Sequence, residues 1–419
     1  MLNKLKALGP GLLYAGAAVG VSHIVQSTKA GAEFGYILIL GIVFAHIFKY
    51  PFFELGPAYT QHHGKNLLHG YKAIGNWALV VITVLTVATM FTIQAAVTIV
   101  TAGLAIKITG LDISPAAMSG VLLLICLLII WIGRYNVLDK LMKIIMITLS
   151  VTTVVAVVSS MTYAHQIVPG TAKIFDLSNN QHIIFLIAFL GWMPAPLDIA
   201  IWHSIWSEED AKRGNKPKGM LDFKVGFWGT ALLGVGFLML GANVIYGTGI
   251  ELAKGGVAYA QQLLDIYVQA IGPWSYSIIA IAAFTTMFST TLTCLDAMPR
   301  VLNKIIGMSS KKHEGSLDQD IDAPALLEHR NRRILLTALI AVGATVLLTF
   351  FVQNMTEMVN MATSISFITA PVLAWLAVLV VKRQMPEGFW STGKRVIAYL
   401  GIFFLVLLSA FYIKLVMFG

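Results

Sequence analysis

Apolar runs of membrane-spanning length follow one another almost without pause along this chain. They fall near residues 9–31, 36–60, 77–106, 116–133, 141–163, 182–206, 225–248, 274–299, 334–352, 359–381 and 397–417. A helix needs about 20 apolar residues to cross the hydrocarbon layer. In that layer each backbone N–H and C=O must be satisfied within the segment, which leaves helices as the natural solution for long runs. The pattern predicts an all-α integral membrane protein with about 11 transmembrane helices. Composition agrees: 57% of the 419 residues are hydrophobic and 12% are charged, against roughly 25% charged in a soluble domain.

The charges lie in the breaks between runs. With the N-terminus in the cytoplasm, the inner loops hold 23 of the 29 Lys and Arg, and the outer ones hold Lys29, Lys107, Lys173, Lys254 and Lys414. That asymmetry predicts a cytoplasmic N-terminus and a multi-pass protein of a prokaryotic inner membrane. The net charge of +9 is therefore topogenic, spread over loops rather than gathered on one face, and excludes nucleic acid as a partner. Cys126 and Cys294 sit in apolar runs, so neither a disulfide framework nor a cysteine metal site is expected. No cleavable leader is visible, and the first helix is expected to be retained. Residues 308–333 read as a cytoplasmic loop, and 251–271 as a short amphipathic helix on the outer surface.

Two of the runs are wrong for plain membrane anchors. In the first, Gly16, Gly20, Ser22, His23, Gln26, Ser27, Thr28 and Lys29 stand where lipid-facing Leu, Ile and Val belong. Such residues at membrane depth face protein or a wet cavity. An opening near Gly20–Ser22 would free backbone groups and His23 to meet a ligand, although small residues also serve close helix packing. In the sixth run, Pro194 and Pro196 follow Gly191. Each proline lacks an N–H and blocks the carbonyl one turn back, so the helix must break. The break sits beside Trp192, Met193 and Asp198.

Interruptions five helices apart point to an inverted 5+5 repeat with a binding site at the bilayer midplane. The expected division is residues 1–165 (helices 1–5), 166–383 (helices 6–10) and 384–419 (one extra helix).

The chain resembles the Nramp family of metal-ion transporters and its divergent relatives. The likeness is carried by Gly9-Pro10-Gly11 and Ala30-Gly31-Ala32-Glu33-Phe34-Gly35-Tyr36 around helix 1. Lys49-Tyr50-Pro51-Phe52-Phe53-Glu54 with Gly56-Pro57 carries it in helix 2, then Gly64-Lys65 and Leu67-Leu68. Met193-Pro194 in helix 6 and Phe284 to Arg300 in helix 8 complete it. The resemblance implies a leucine-transporter-type fold, alternating access and uptake into the cytoplasm.

The departures bear on the substrate. The family's Asp-Pro-Gly-Asn falls here on Gly20, Val21, Ser22 and His23, and its Met-Pro-His on Met193, Pro194 and Ala195. Helix 3, acidic in the family, has Gln94 as its most polar member. A bare Mn²⁺ or Fe²⁺ in a low-dielectric site needs negative charge. His23 and Met193 offer a neutral nitrogen and a neutral sulfur, and Asp198 lies one turn past the break. The lost side chains are expected to leave a roomier cavity edged by Tyr14, Trp192 and Trp202, suited to a larger substrate.

The expectation is thus a secondary importer of a chelated metal, such as a ferric siderophore or similar iron complex. The alternatives are a metal-free organic solute (amino acid or amine), or a bare divalent metal in a rebuilt site. Expected substrate-binding residues are Gly20, Ser22, His23, Gln26, Gln94, Trp192, Met193, Ala195 and Asp198. Coupling or gating falls to His23, Asp198, Asp296 and Arg300, the last two forming an ion pair four residues apart. Lys49 is explained by snorkelling and helix bonding. No cofactor or resident metal is expected; the partners are the lipid bilayer and a small-molecule substrate, with a monomer or an oligomer both open. A channel is disfavoured because no ring of charged pore residues appears, and an enzyme because no paired carboxylates, Ser-His-Asp spacing, HExxH or Walker loop appears.

Overall fold

A computed structural model describes residues 10–132, 135–162, 167–212, 220–309, 323–350 and 354–418. The basic residues of the N-terminus and half of the expected loop at 308–333 lie outside that set, and the described remainder of that loop, 308–309 and 323–333, is helical. Secondary structure among the described residues is helical throughout. The first run forms α1 (Pro10–Ala18), a π-helical turn (Ser22–Ser27) and α2 (Thr28–Phe34). α3 (Ile39–His63) leads to a short α4 (Leu67–Ile74), then α5 (Asn76–Thr109), α6 (Pro115–Ile132) and α7 (Tyr135–Ser160). The sixth run is two helices, α8 (Asn180–Gly191) and α9 (Ile199–Lys212). α10 (Met220–Val244), α11 (Gly256–Ile271), α12 (Ser275–Ser309), α13 (Ala323–Phe350), α14 (Met355–Gln384) and α15 (Thr392–Phe418) complete the order.

Eight of the described helices are long and apolar enough to cross a membrane. Their outer faces carry large apolar side chains in the open: Val80 and Val84 on α5, Leu400, Phe403 and Leu407 on α15. Continuous apolar faces of this kind are stable against lipid and not against water. The protein is an all-α, multi-pass membrane protein.

The packing partners repeat with a shift of five spans. α1 and α2 pack on α10, while α9 packs on α3. α5 packs on α14, and α12 packs on α7. That reciprocity is the contact pattern of an inverted repeat. Close approach depends on glycine where α2 meets α10. A Cβ on Gly31 would lie 1.9 Å from the Leu238 carbonyl oxygen, and one on Gly241 would lie 2.1 Å from that of Thr28. Small residues let two backbones touch in a membrane, where packing replaces the hydrophobic drive.

Local chemistry sets the helix ends. Asn66 accepts the Leu68 N–H to start α4, Asn179 accepts the Gln181 N–H for α8, and Asn354 accepts the Glu357 N–H for α14. α4 was read from the sequence only as a break between spans. The segment 251–271 departs further from its expectation. Its helix α11 buries Tyr259, Leu263, Leu264 and Tyr267 against α5, α7 and α12 rather than lying on the surface. Tyr259 donates its hydroxyl to the Val25 carbonyl at 3.0 Å, tying α11 to the π turn.

Candidate substrate site

The two interrupted runs meet at mid-chain depth around a small cavity. α1 ends at Ala18, and the backbone bends at Val19–Gly20 before the π turn. Ser27 donates its hydroxyl to the Ser22 carbonyl at 3.1 Å. A side chain that claims a helical carbonyl loosens the turn in this way. In the sixth run, residues 192–198 are non-helical between α8 and α9, as the two prolines require.

The cavity between the breaks has a volume of about 20 Å³ and is lined by Gly20, Val21, Ser22, Trp192, Trp202, Thr290 and Cys294, among others. Its walls are uncharged and mostly aliphatic, with two indoles and the side chains of Ser22, Thr290 and Cys294. The expected roominess at Gly20 is absent: a Cβ there would lie 3.0 Å from the Thr290 side chain. The glycine serves a close approach of α12, and Thr290 Oγ1 lies 3.1 Å from the Gly16 carbonyl oxygen. Tyr14 does not edge the cavity either. It is fully buried in an aromatic cluster with Phe53, His203, Phe223 and Phe227.

The remaining predicted residues fall on several sides of this centre. His23 is fully buried, accepting from Ser22 Oγ at Nδ1 (2.8 Å) and donating from Nε2 to the Thr230 carbonyl (3.1 Å). Both ring nitrogens are therefore spent on protein. Met193 turns the same way, and its sulfur and the His23 ring both lie within 3.5 Å of the space beside Gly234. Trp192 donates to Ser366 Oγ at 2.8 Å, which fixes the indole at the cavity wall. Ala195 is buried in the loop between α8 and α9. Gln94 donates to the Thr291 carbonyl at 3.2 Å, and its Oε1 is buried without a partner. Asp198 stands at the N-terminus of α9, where its backbone carbonyl accepts the Ile201 N–H at 2.9 Å.

Gln26 lies elsewhere. It donates to Asn360 Oδ1 at 3.3 Å and lines a separate vestibule of about 970 Å³ that also touches Lys29, Glu33, Lys173, His182, Lys254 and Tyr259. Asp296 and Arg300 lie at the other end of the bundle. Arg300 bonds Asp296 at 2.6 Å and Glu209 at 2.7 Å, while Lys304 reaches Glu208 at 2.8 Å. This cluster ties α12 to α9.

Residues 11–415 match the profile of the Natural resistance-associated macrophage protein-like (Nramp) family. The chain belongs to the Nramp family. An uncharacterized protein of Pasteurella multocida is 34% identical over 387 residues, covering 91% of this chain and 86% of that protein. The Eremococcus coleocola manganese transporter, solved with an aromatic bis-isothiourea substituted compound, superposes with a TM-score of 0.62 at 13% identity. That match covers 98% of this chain and 86% of the other. MhsT, solved with L-phenylalanine, superposes with a TM-score of 0.63 at 15% identity, over 96% of this chain and 98% of MhsT. At these identities the two structures show a shared fold, the leucine-transporter type. This Nramp chain is a secondary transporter of a small solute by alternating access, not an enzyme.

Among the described residues of this Nramp protein, no three His, Cys, Asp or Glu side chains gather as a metal site. Five contributors escaped the sequence reading: Thr230, Thr290, Ser366, Asn360 and Glu209. Each is an ordinary helix residue by itself, and only its long-range partner marks it. Lys49 was misread. It is fully buried and does not snorkel, a difference with its own consequences below.

Proposed function

We propose that this protein imports a compact, metal-free organic solute, of the size of an amino acid or amine, through the site between the two helix breaks. The single observation that carries this reading is the uncharged lining of Ser22, Trp192, Trp202, Thr290 and Cys294, beside a histidine whose nitrogens are both engaged. A bare divalent ion needs several charged or free donors. An uncharged, largely apolar lining suits a small organic molecule, which the space of about 20 Å³ admits only once the helices part in the transport cycle. MhsT, which shares the fold, was solved with L-phenylalanine.

A chelated metal is the second reading, favoured by the vestibule of about 970 Å³, which has room for a bulky polar complex above the narrow centre. In either case we propose 11 spans, divided as residues 1–165, 166–383 and 384–419. The N-terminus is cytoplasmic and the membrane is the inner membrane of a bacterium. The vestibule is then on the outer side and the Arg300 cluster on the inner side. The site residues are Gly20, Ser22, Trp192 and Thr290, with Gln26 in the approach and Asp296 and Arg300 in the inner closure.

The test is uptake into proteoliposomes of labelled amino acids and amines, of Mn²⁺ and Fe²⁺, and of a panel of ferric chelates. Saturable uptake of an organic solute, unaffected by metal removal, is the expected result. Uptake only of a ferric chelate moves the assignment to the second reading, and uptake of the free ions refutes both.

A further inference from the structure

The broken sixth run exposes backbone carbonyls that a continuous helix would satisfy. The carbonyl of Leu190 loses its i+4 partner because residue 194 is proline and has no N–H, and keeps a long bond from the Met193 N–H at 3.3 Å. Those of Gly191 and Met193 point into the break, beyond which helix resumes only at Ile199. Oriented carbonyls at the C-terminal end of a half-helix form a partial negative charge, the kind of place where such transporters hold an inorganic cation.

Here a side chain fills it. Lys49, from the middle of α3, is fully buried, and its Nζ lies 2.7 Å from Leu190 O, 3.1 Å from Gly191 O and 3.0 Å from Met193 O. An ammonium group has three N–H donors and no acceptor, and it meets three carbonyl oxygens. The Phe367 ring, with its centroid 5.8 Å from Nζ, lies close enough to add a cation–π contact. No carboxylate among the described residues is within ion-pair reach of Lys49. Lys49 Nζ is met by three carbonyl oxygens and the face of an aromatic ring instead.

We propose that Lys49 is a tethered cation. It occupies a carbonyl cradle of the type that binds an alkali-metal ion, so that the α8 terminus is held without an ion from solution. It is a positioning residue: by fixing the turn at 190–193 it sets Trp192 at the cavity wall. The inference rests on the transporter reading for its meaning, but its test needs no substrate.

The test is heat unfolding of the purified protein in detergent, with sodium, potassium or choline chloride at equal ionic strength. The parent protein is expected to melt at one temperature in all three. Lys49→Ala is expected to melt several degrees lower in choline and to regain most of that loss in sodium, or in ethylammonium chloride, which can enter the vacated space. Lys49→Ser, which leaves the cradle equally vacant, carries the same comparison if the alanine variant does not fold. A parent protein stabilised by sodium over choline overturns the proposal. So does a variant whose loss is the same in every salt, since a purely packing role predicts that. A transport panel with no positive solute would leave these melting results readable on their own.

Discussion

Arg300 donates to both carboxylate oxygens of Glu209, at 2.7 and 2.8 Å, although 91 residues separate them and they sit on different helices. The same guanidinium holds Asp296, whose side chain is 3% exposed. One residue thus joins α9 to α12 at the end opposite the vestibule, and the following outcomes are expected.

Arg300→Met leaves the buried Asp296 without its cation. Breaking a buried pair from one side costs about 3 kcal/mol or more, whereas Glu209→Gln removes only the more exposed partner and costs about 1 kcal/mol. Denaturation in detergent should rank the two variants in that order. Equal losses would show that Asp296 is not dependent on Arg300.

Glu209→Gln should also ease opening at that end. Cys294 lines the central cavity and is buried. In a Cys126→Ser background, a water-soluble maleimide should label Cys294 faster in Glu209→Gln than in the parent. No change in labelling rate would mean that the cluster is structural and does not gate.

Asn66 has two duties. Its Oδ1 caps α4 through Leu68 N–H at 3.1 Å, and its Nδ2 donates to Glu208 at 2.7 Å. Asn66→Ala is expected to cost about 1 kcal/mol for the cap and about 1.5 kcal/mol more for the charged hydrogen bond. Asn66→Asp keeps the cap and sets a carboxylate against Glu208, so its stability should recover when Glu208→Gln is added.

Gly31→Ala and Gly241→Ala each drive a methyl group into a facing carbonyl, and each should lower stability by about 1–3 kcal/mol. Because the two glycines share one helix contact, the double variant should cost less than the sum. Additive losses would show that the two sites do not report on the same approach. By contrast, Gly120, whose nearest neighbour would be 3.7 Å away, should accept alanine with no loss.

His23 links the first run to α10 through Thr230, and Ser22 Oγ has a second acceptor in the Ala18 carbonyl at 3.2 Å. His23→Leu should remove the donor to a buried carbonyl and cost about 2 kcal/mol. His23→Gln, which can still donate to Thr230, should recover part of that. If uptake follows stability across the pair, His23 is a structural link. If His23→Gln folds as the parent does and is inactive, the ring itself takes part in transport.

Much of the fold was written in local chemistry. Spanning runs follow from the bilayer's inability to hydrogen-bond the backbone, and Pro194 and Pro196, two residues apart just after Gly191, disturb the helix locally. The Asp296–Arg300 pair follows from a spacing of four. These features need only neighbours in sequence. The size of the cavity was not legible, because whether Gly20 makes room or close contact depends on Thr290, 270 residues away. The role of Lys49 was hidden for the same reason.

The sequence by itself determined a helical membrane protein of the Nramp family, with two interrupted spans and a centre stripped of the family's acidic residue. Tertiary structure alone decided which polar groups face which. It turned His23 toward Thr230, Trp192 toward Ser366 and Lys49 into the carbonyls of the sixth run. The physical reason is that a residue's type limits which bonds it can make, and in a low-dielectric interior an unpaired polar group is costly. Only the packing of distant helices determines which partners are within three ångströms or so.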